Sequence, residues 1–343
     1  MSARSANTAM ENITRGLIKS TLPKLPPTPG FDGDLDYQQQ VELWKKWIAW
    51  EQDDPLALKD DELEEYKKRI IYTYKQAVMA LRFWPEIWVE AAEWCYGNGK
   101  DTEGELFLDD GIAANPESCL IAFKKADRLE SRLAIEDAHN SVAEKGAIVR
   151  APYDKVLDSL YGILAQLKER ENKEMAKLEE SLALDASIDA IISKAVEEEE
   201  EDETDKAVRE AAKAVKTKAI EARYASQVRV MWRTISFAWI ALMRAMRRVQ
   251  GKGAVKDTVG GSRQIFADAR ARGKITSDVY VASALIEHHV YKDPAGTKIF
   301  ERGAKLFPED EVYILEYLKH LLSIGDTTSM FFVLFFILMA NHY

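Results

Sequence analysis

Four groups of residues in this chain have types suited to chemistry: the adjacent His288 and His289, the thiols of Cys95 and Cys119, the turns Gly97-Asn98-Gly99-Lys100 and Gly251-Lys252-Gly253, and carboxylate pairs such as Glu64 and Glu65. None has the spacing its chemistry requires. A zinc-binding helix presents histidines four apart, as in His-Glu-x-x-His, or paired Cys and His ligands, and neither pattern occurs. A phosphate loop runs Gly-x-x-x-x-Gly-Lys-Ser/Thr after a strand; both glycine-lysine segments stop short of it and read as turns between helices. Glu64 and Glu65 lie in a helical pattern with no apolar pocket beside them to set one carboxyl as an acid against the other as a base. The two cysteines lack Cys-x-x-Cys spacing, which points to buried thiols in a reduced, intracellular compartment. The sequence therefore assembles no catalytic constellation and calls for no metal or cofactor. What remains is binding.

Charge gives the first candidate surface. Residues 206–274 hold 17 Lys and Arg against 4 Asp and Glu, a net of +13 in a chain whose formal charge is −10, so the remainder carries −23. Arg229, Arg233, Arg244, Arg247, Arg248, Lys252 and Lys256 form the densest cluster, a contact surface suited to RNA or an acidic partner. The same charge can also neutralise the acidic run beside it, where eight of the nine residues from 197 to 205 are acidic.

The elements that would position such a surface are helices. Trp44, Trp47 and Trp50 fall at i, i+3 and i+6 on one helical stripe, closed by Glu51. The spacing returns in Trp88, Ala91 and Trp94, then in Leu120, Phe123 and Ala126, and in Trp239, Leu242 and Ala245; Tyr280 with Leu285 and Tyr313 with Tyr317 continue it. A second helix type shows in Arg263, Ile265, Phe266 and Ala269 and again 35 residues later in Lys298, Ile299, Phe300, Arg302 and Ala304. Between units stand Trp84-Pro85-Glu86, Asn115-Pro116-Glu117 and Phe307-Pro308-Glu309, where proline suits a first helical turn and glutamate the positive end of its dipole. A pattern recurring every few tens of residues predicts an all-α solenoid of stacked helix pairs, each too small to bury its own apolar face.

This reading divides the chain into a proline-rich, linker-like segment (1–36), a first block of repeats (37–165), a charged and partly disordered insertion (166–225), a second block (226–328) and an atypical apolar tail (329–343). Within the insertion, 169–184 and 206–223 have the i, i+4 charge pairs of exposed helices. No apolar run near the start is long enough for a signal-peptide core. Met330–Ala340 is apolar over eleven residues, short of the roughly 20 that span a bilayer, and no membrane anchor is expected.

The residues that carry this periodicity resemble half-a-tetratricopeptide (HAT) repeats, whose first helix bears aromatics on successive turns followed by glutamate, with proline between units. Here the signature falls on Trp44, Trp47, Trp50, Glu51, Pro85, Trp88, Trp94, Pro116, Phe123, Trp239, Arg263, Phe266, Tyr280, Phe300, Pro308 and Tyr313. The stretch 43–130 is similar to the large repeat subunit of cleavage stimulation factor, the suppressor-of-forked family, and the likeness resumes at 239–251, 262–269, 279–287 and 298–303. The resemblance implies a right-handed α-α superhelix, here about six helix pairs with the last incomplete. It also implies a non-enzymatic nuclear scaffold of pre-mRNA 3′-end cleavage and polyadenylation, assembling with factor subunits and reaching pre-mRNA through a partner. The family dimerises through its later repeats, which here would be those from Ser262 onward. Trp44 is similar to the start of that later half. The greasy run from Ser329 departs from the pattern and reads as foreign to the repeats, as a gene-model artefact would. Two alternatives stay open: a splicing scaffold of the crooked-neck kind, and a module that binds RNA directly through 206–274.

Overall fold

The structure is a computed structural model that describes residues 3–18, 22–135, 140–196, 203–331 and 333. Among them no strand occurs. The helices are α1 (Ala3–Thr14), α2 (Asp34–Gln52), α3 (Leu63–Ala80), α4 (Pro85–Gly97), α5 (Asp101–Ala114), α6 (Cys119–Ile135), α7 (Val142–Val196), α8 (Glu203–Val249), α9 (Gly261–Arg272), α10 (Ser277–Leu285, extended by a π-helical turn at Ile286–Val290), α11 (Ala295–Leu306) and α12 (Glu311–Ile324). The chain is an all-α, TPR-like solenoid protein built of helix pairs.

It folds as two compact units, Met1–His139 with Ile148–Val156, and Asn140–Ala147 with Leu157–Tyr343. In the first unit the aromatic stripe becomes the core. Trp44 stacks on Trp47 at 5.3 Å, and both join Ile48, Ile70, Tyr74, Ile87, Trp88 and Leu108 in one apolar cluster, with Trp50 and Trp94 packed at its edge. Burial of this kind, at about 25 cal/mol per Å² of apolar surface, holds together helices too short to persist alone.

In the second unit Trp239, Leu242 and Ala245 are buried on α8, Phe266 meets Tyr280 edge-on at 5.2 Å, and Phe300 packs between Tyr313 and Tyr317. The charged stretch 166–225 is helical wherever it is described. The arms α7 and α8 run antiparallel: Trp239 donates to the Tyr161 hydroxyl at 3.2 Å, and further along Tyr224 donates to Glu174 at 2.9 Å.

Several expectations need correction. Residues 3–14, in the segment read as a linker, form α1 and bury Ala6. Pro85 opens α4 at its first turn, but Pro116 and Pro308 lie in the turns before α6 and α12. There the start of the helix is set by polar capping, with Asp310 accepting from the Tyr313 amide at 3.1 Å. On α6 Ala126 is buried as the stripe requires, but Ile121 and Ala122 are buried beside it while Leu120 is 44 % exposed and Phe123 sits half-buried against Tyr153. The acidic run at 197–202 and most of Met330–Ala340 lie outside the described residues.

Candidate functional site: grooves between successive repeats

Residues 85–115 and 277–307 align without a gap at an offset of 192, and the structure gives both stretches the same construction. Trp88 and Tyr280 occupy one position and are equally buried. Gly104 and Gly296, then Gly111 and Gly303, fall at matching places in the second helix, where the first helix crowds Gly104, Gly111 and Gly296 and Tyr313 of α12 crowds Gly303. A Cβ on Gly111 would stand 3.0 Å from Trp88, and one on Gly296 would meet the Ala284 carbonyl at 2.8 Å.

Seven residues after each anchoring aromatic comes a buried position with varied occupants: Glu51 after Trp44, Cys95 after Trp88, Met246 after Trp239, Glu287 after Tyr280 and His320 after Tyr313. Where the occupant is glutamate it is clamped. Glu51 accepts from the Trp47 indole at 3.3 Å and from the Arg69 guanidinium at 2.9–3.1 Å. Glu287 accepts two 2.7 Å bonds from Arg263, which also reaches Asp293 at 2.9 Å; Lys252 donates to the same Asp293 oxygen at 2.6 Å. Hydrogen bonding from Lys252 and the Ala295 amide, with Arg263 beside it, holds the Asp293 carboxyl well below the usual carboxylate range. Paired, hydrogen-bonded charges of this kind fix the register of one helix on the next.

The other occupants behave differently. Burial pushes the Cys95 thiol up to about 11, and that of Cys119 likewise to about 11. His320 is 4 % exposed, shares a 2.9 Å hydrogen bond with Thr297 through Nε2, and has no partner for Nδ1. The His288 ring stands 4.7 Å from it, edge-on, with His289 at 4.8 Å from His288. Burial, then the neighbouring histidines, holds both His288 and His320 below the usual histidine range. Among the described residues no group of three or more His, Cys, Asp or Glu side chains is placed to hold a metal ion.

The seven cations singled out from sequence do not form one patch. Arg229, Arg233, Arg244 and Arg248 are exposed on α8, and Arg233, Arg244 and Arg248 share one face of it with the exposed Val230 and Phe237. Arg247 is half-buried. Lys252 is drawn into the Asp293 ion pair, and Lys256 lies exposed in the following loop with φ of 68°.

Among the described residues, two grooves at matching positions lie between second helices, one in each unit. The first, of about 500 Å³, runs between α3 and α5 over Trp88, with Glu103, Leu106, Phe107 and Asp110 on its α5 wall. The second, of about 280 Å³, runs between α9 and α11 over Tyr280, with Ala295, Lys298, Ile299 and Arg302 on its α11 wall. These eight residues are the same four positions at the 192-residue offset. The grooves were missed from sequence, although the spacing of Trp88 to Glu103 and of Tyr280 to Ala295 is equal and would have found them.

With this geometry established, the chain can be compared with known proteins. The sequence profile of the family described as Suppressor of forked protein (Suf) matches residues 1–339. The mRNA 3′-end-processing protein rna14 of Emericella nidulans is 54 % identical over 326 residues, 95 % of this chain and 30 % of that protein. Its namesake in Neurospora crassa is 53 % identical over 342 residues, 96 % of this chain and 28 % of the relative. In Yarrowia lipolytica the protein of that name is 33 % identical over 329 residues, 95 % of this chain and 32 % of its own length. The chain thus spans about 30 % of the length of the relatives it matches.

Proposed function

Because the chain belongs to the suppressor-of-forked family, we propose that it works as a non-enzymatic scaffold of pre-mRNA 3′-end cleavage and polyadenylation. The observation that carries this reading is that the relatives named for mRNA 3′-end processing align with 95 % of a chain made of stacked helix pairs. Such a fold offers long side walls and shallow grooves for other subunits. The buried clamps at Glu51 and Glu287 keep those walls in register, so that docking residues from separate helices stay at fixed spacing.

In this reading the partners are cleavage and polyadenylation factor subunits, the site of action is the nucleus, and pre-mRNA is reached through a partner. The repeats from Ser262 onward pair with a second copy. Among the described residues no helix is long and apolar enough to cross a membrane.

The test is recovery of the tagged chain from nuclear extract at moderate salt, with mass spectrometry of its companions. Enrichment of 3′-end processing subunits is the expected result. Spliceosomal companions in their place would sink the assignment in favour of the crooked-neck-like alternative. For pairing, light scattering at micromolar concentration should give twice the chain mass; monomer alone would remove the dimer.

A further inference from the structure

The groove between α9 and α11 has an electrostatic character that its counterpart lacks. Its walls bring together Arg270 from α9 and Lys298 and Arg302 from α11. Arg263 lines it too, but that guanidinium is already neutralised by Glu287 and Asp293. The other three have no ion-pair partner among the described residues, and the Nε of Arg270 is buried without a hydrogen-bond acceptor while its guanidinium lies 4.7 Å over the Phe266 ring. Three cations gathered on the walls of one groove without a paired carboxylate favour an anion between them.

The floor is apolar, made by Phe266, Tyr280 and Ile299 beside the half-exposed Val255. The two floor rings are 8 % and 6 % exposed and packed edge-on against each other. Neither offers a free face on which a nucleobase could stack, and stacking is the main sequence-tolerant source of affinity for single strands. A carboxylate-bearing side chain next to an aliphatic one matches both the cations and the floor, in a volume of about 280 Å³ that admits only a few side chains.

We propose that this groove docks an extended acidic peptide segment of a partner protein, with carboxylates on Arg270, Lys298 and Arg302 and an intervening apolar side chain on the floor. The matching groove of the first unit has Glu103 and Asp110 where this one has Ala295 and Arg302, and they balance its Lys75 and Arg82, so it lacks the excess of positive charge that would hold the same segment. The site is a property of the second unit's surface and holds whether or not the chain acts in 3′-end processing, so failure of one leaves the other standing.

The experiment is fluorescence anisotropy of the full chain with a fluorescein-labelled nonapeptide of glutamates carrying a central leucine, at 150 mM salt, against the same peptide with glutamine for glutamate and against a ten-nucleotide oligouridine. Wild type should bind the acidic peptide saturably and at least tenfold more tightly than the glutamine version. The double variant K298E/R302E, at exposed positions, should lose at least tenfold while keeping its helical circular dichroism. R233E/R244E on the face of α8 should change binding by less than twofold. Equal binding by wild type and K298E/R302E, or no binding of the acidic peptide, overturns the proposal. Tighter binding of oligouridine that is lost in K298E/R302E overturns it as well, in favour of RNA.

Discussion

The repeat built from α4 and α5 and the one built from α10 and α11 share a backbone plan but not an interior. Both carry an aromatic anchor, two close-approach glycines and a groove at the same offset. In the first, the position after the anchor holds a sealed thiol, Cys95, and the acids of α5 that face α6 pair with it, Glu105 and Asp109 with Lys125, and Asp101 with Arg128. In the second, that position holds Glu287 within a four-residue ion network, and three histidines gather where the next repeat packs. Shape is carried by the anchors and glycines, whereas chemical character is free to vary at the other positions. A scaffold can thereby give each repeat a different surface without changing its spacing.

The largest effect should come from the anchor common to both repeats. Trp88→Ala removes a 6 %-exposed indole and is expected to cost about 3–5 kcal/mol in urea unfolding; Tyr280→Ala should cost a comparable amount at the other repeat. A loss below about 1 kcal/mol at either site would break the claim that the anchors are equivalent.

The buried position should then separate the two. Glu287→Ala leaves the Arg263 guanidinium, which is about one-third exposed, with Asp293 as its remaining carboxylate, and is expected to cost about 2 kcal/mol, below the range for a fully buried pair. Cys95→Ala should cost about 1 kcal/mol, since it deletes one packed sulfur and no ion pair. Equal losses would mean that the network contributes packing alone.

Acid should weaken the second repeat selectively. His288 and His320 are held below the usual histidine range in the folded chain, so below pH about 6.5 the unfolded chain binds more protons and stability falls as pH falls. The melting temperature should drop by about 2–4 °C between pH 7.5 and 5.5, and His320→Gln with His288→Gln should flatten that slope. A slope unchanged in the double variant would show that other groups cause it.

The smallest effect concerns the thiols. With both pushed up to about 11, Cys95 and Cys119 should react with an aromatic disulfide reagent at pH 8 far more slowly than glutathione does, and reach full reactivity only in urea. Rapid reaction of Cys95 in the native chain would show that the first repeat opens readily.

Trp44, Trp47 and Glu51 were legible as one helical face, and the same face predicted that Trp88, Trp239 and Tyr313 would be buried, as they are. The register on α6 was not, because Leu120 and Ile121 are equally apolar and only packing chose between them. Pro116 and Pro308 mark unit boundaries, but proline is compatible with either a turn or a first helical position, and the neighbouring caps decided which.

Local patterning determined the helix pairs, their order and their buried stripes, since a 3.6-residue periodicity and a matching glycine are written in consecutive residues. Tertiary structure alone decided which charges remain available. Glu51 finds Arg69 eighteen residues ahead, whereas Glu287 finds Arg263 twenty-four residues behind. Lys252 is withdrawn from the basic cluster by Asp293, forty-one positions away, and Arg270 meets Lys298 and Arg302 across two helices. Ion pairs depend on distance through space, and no spacing along the chain encodes that distance until the helices have packed.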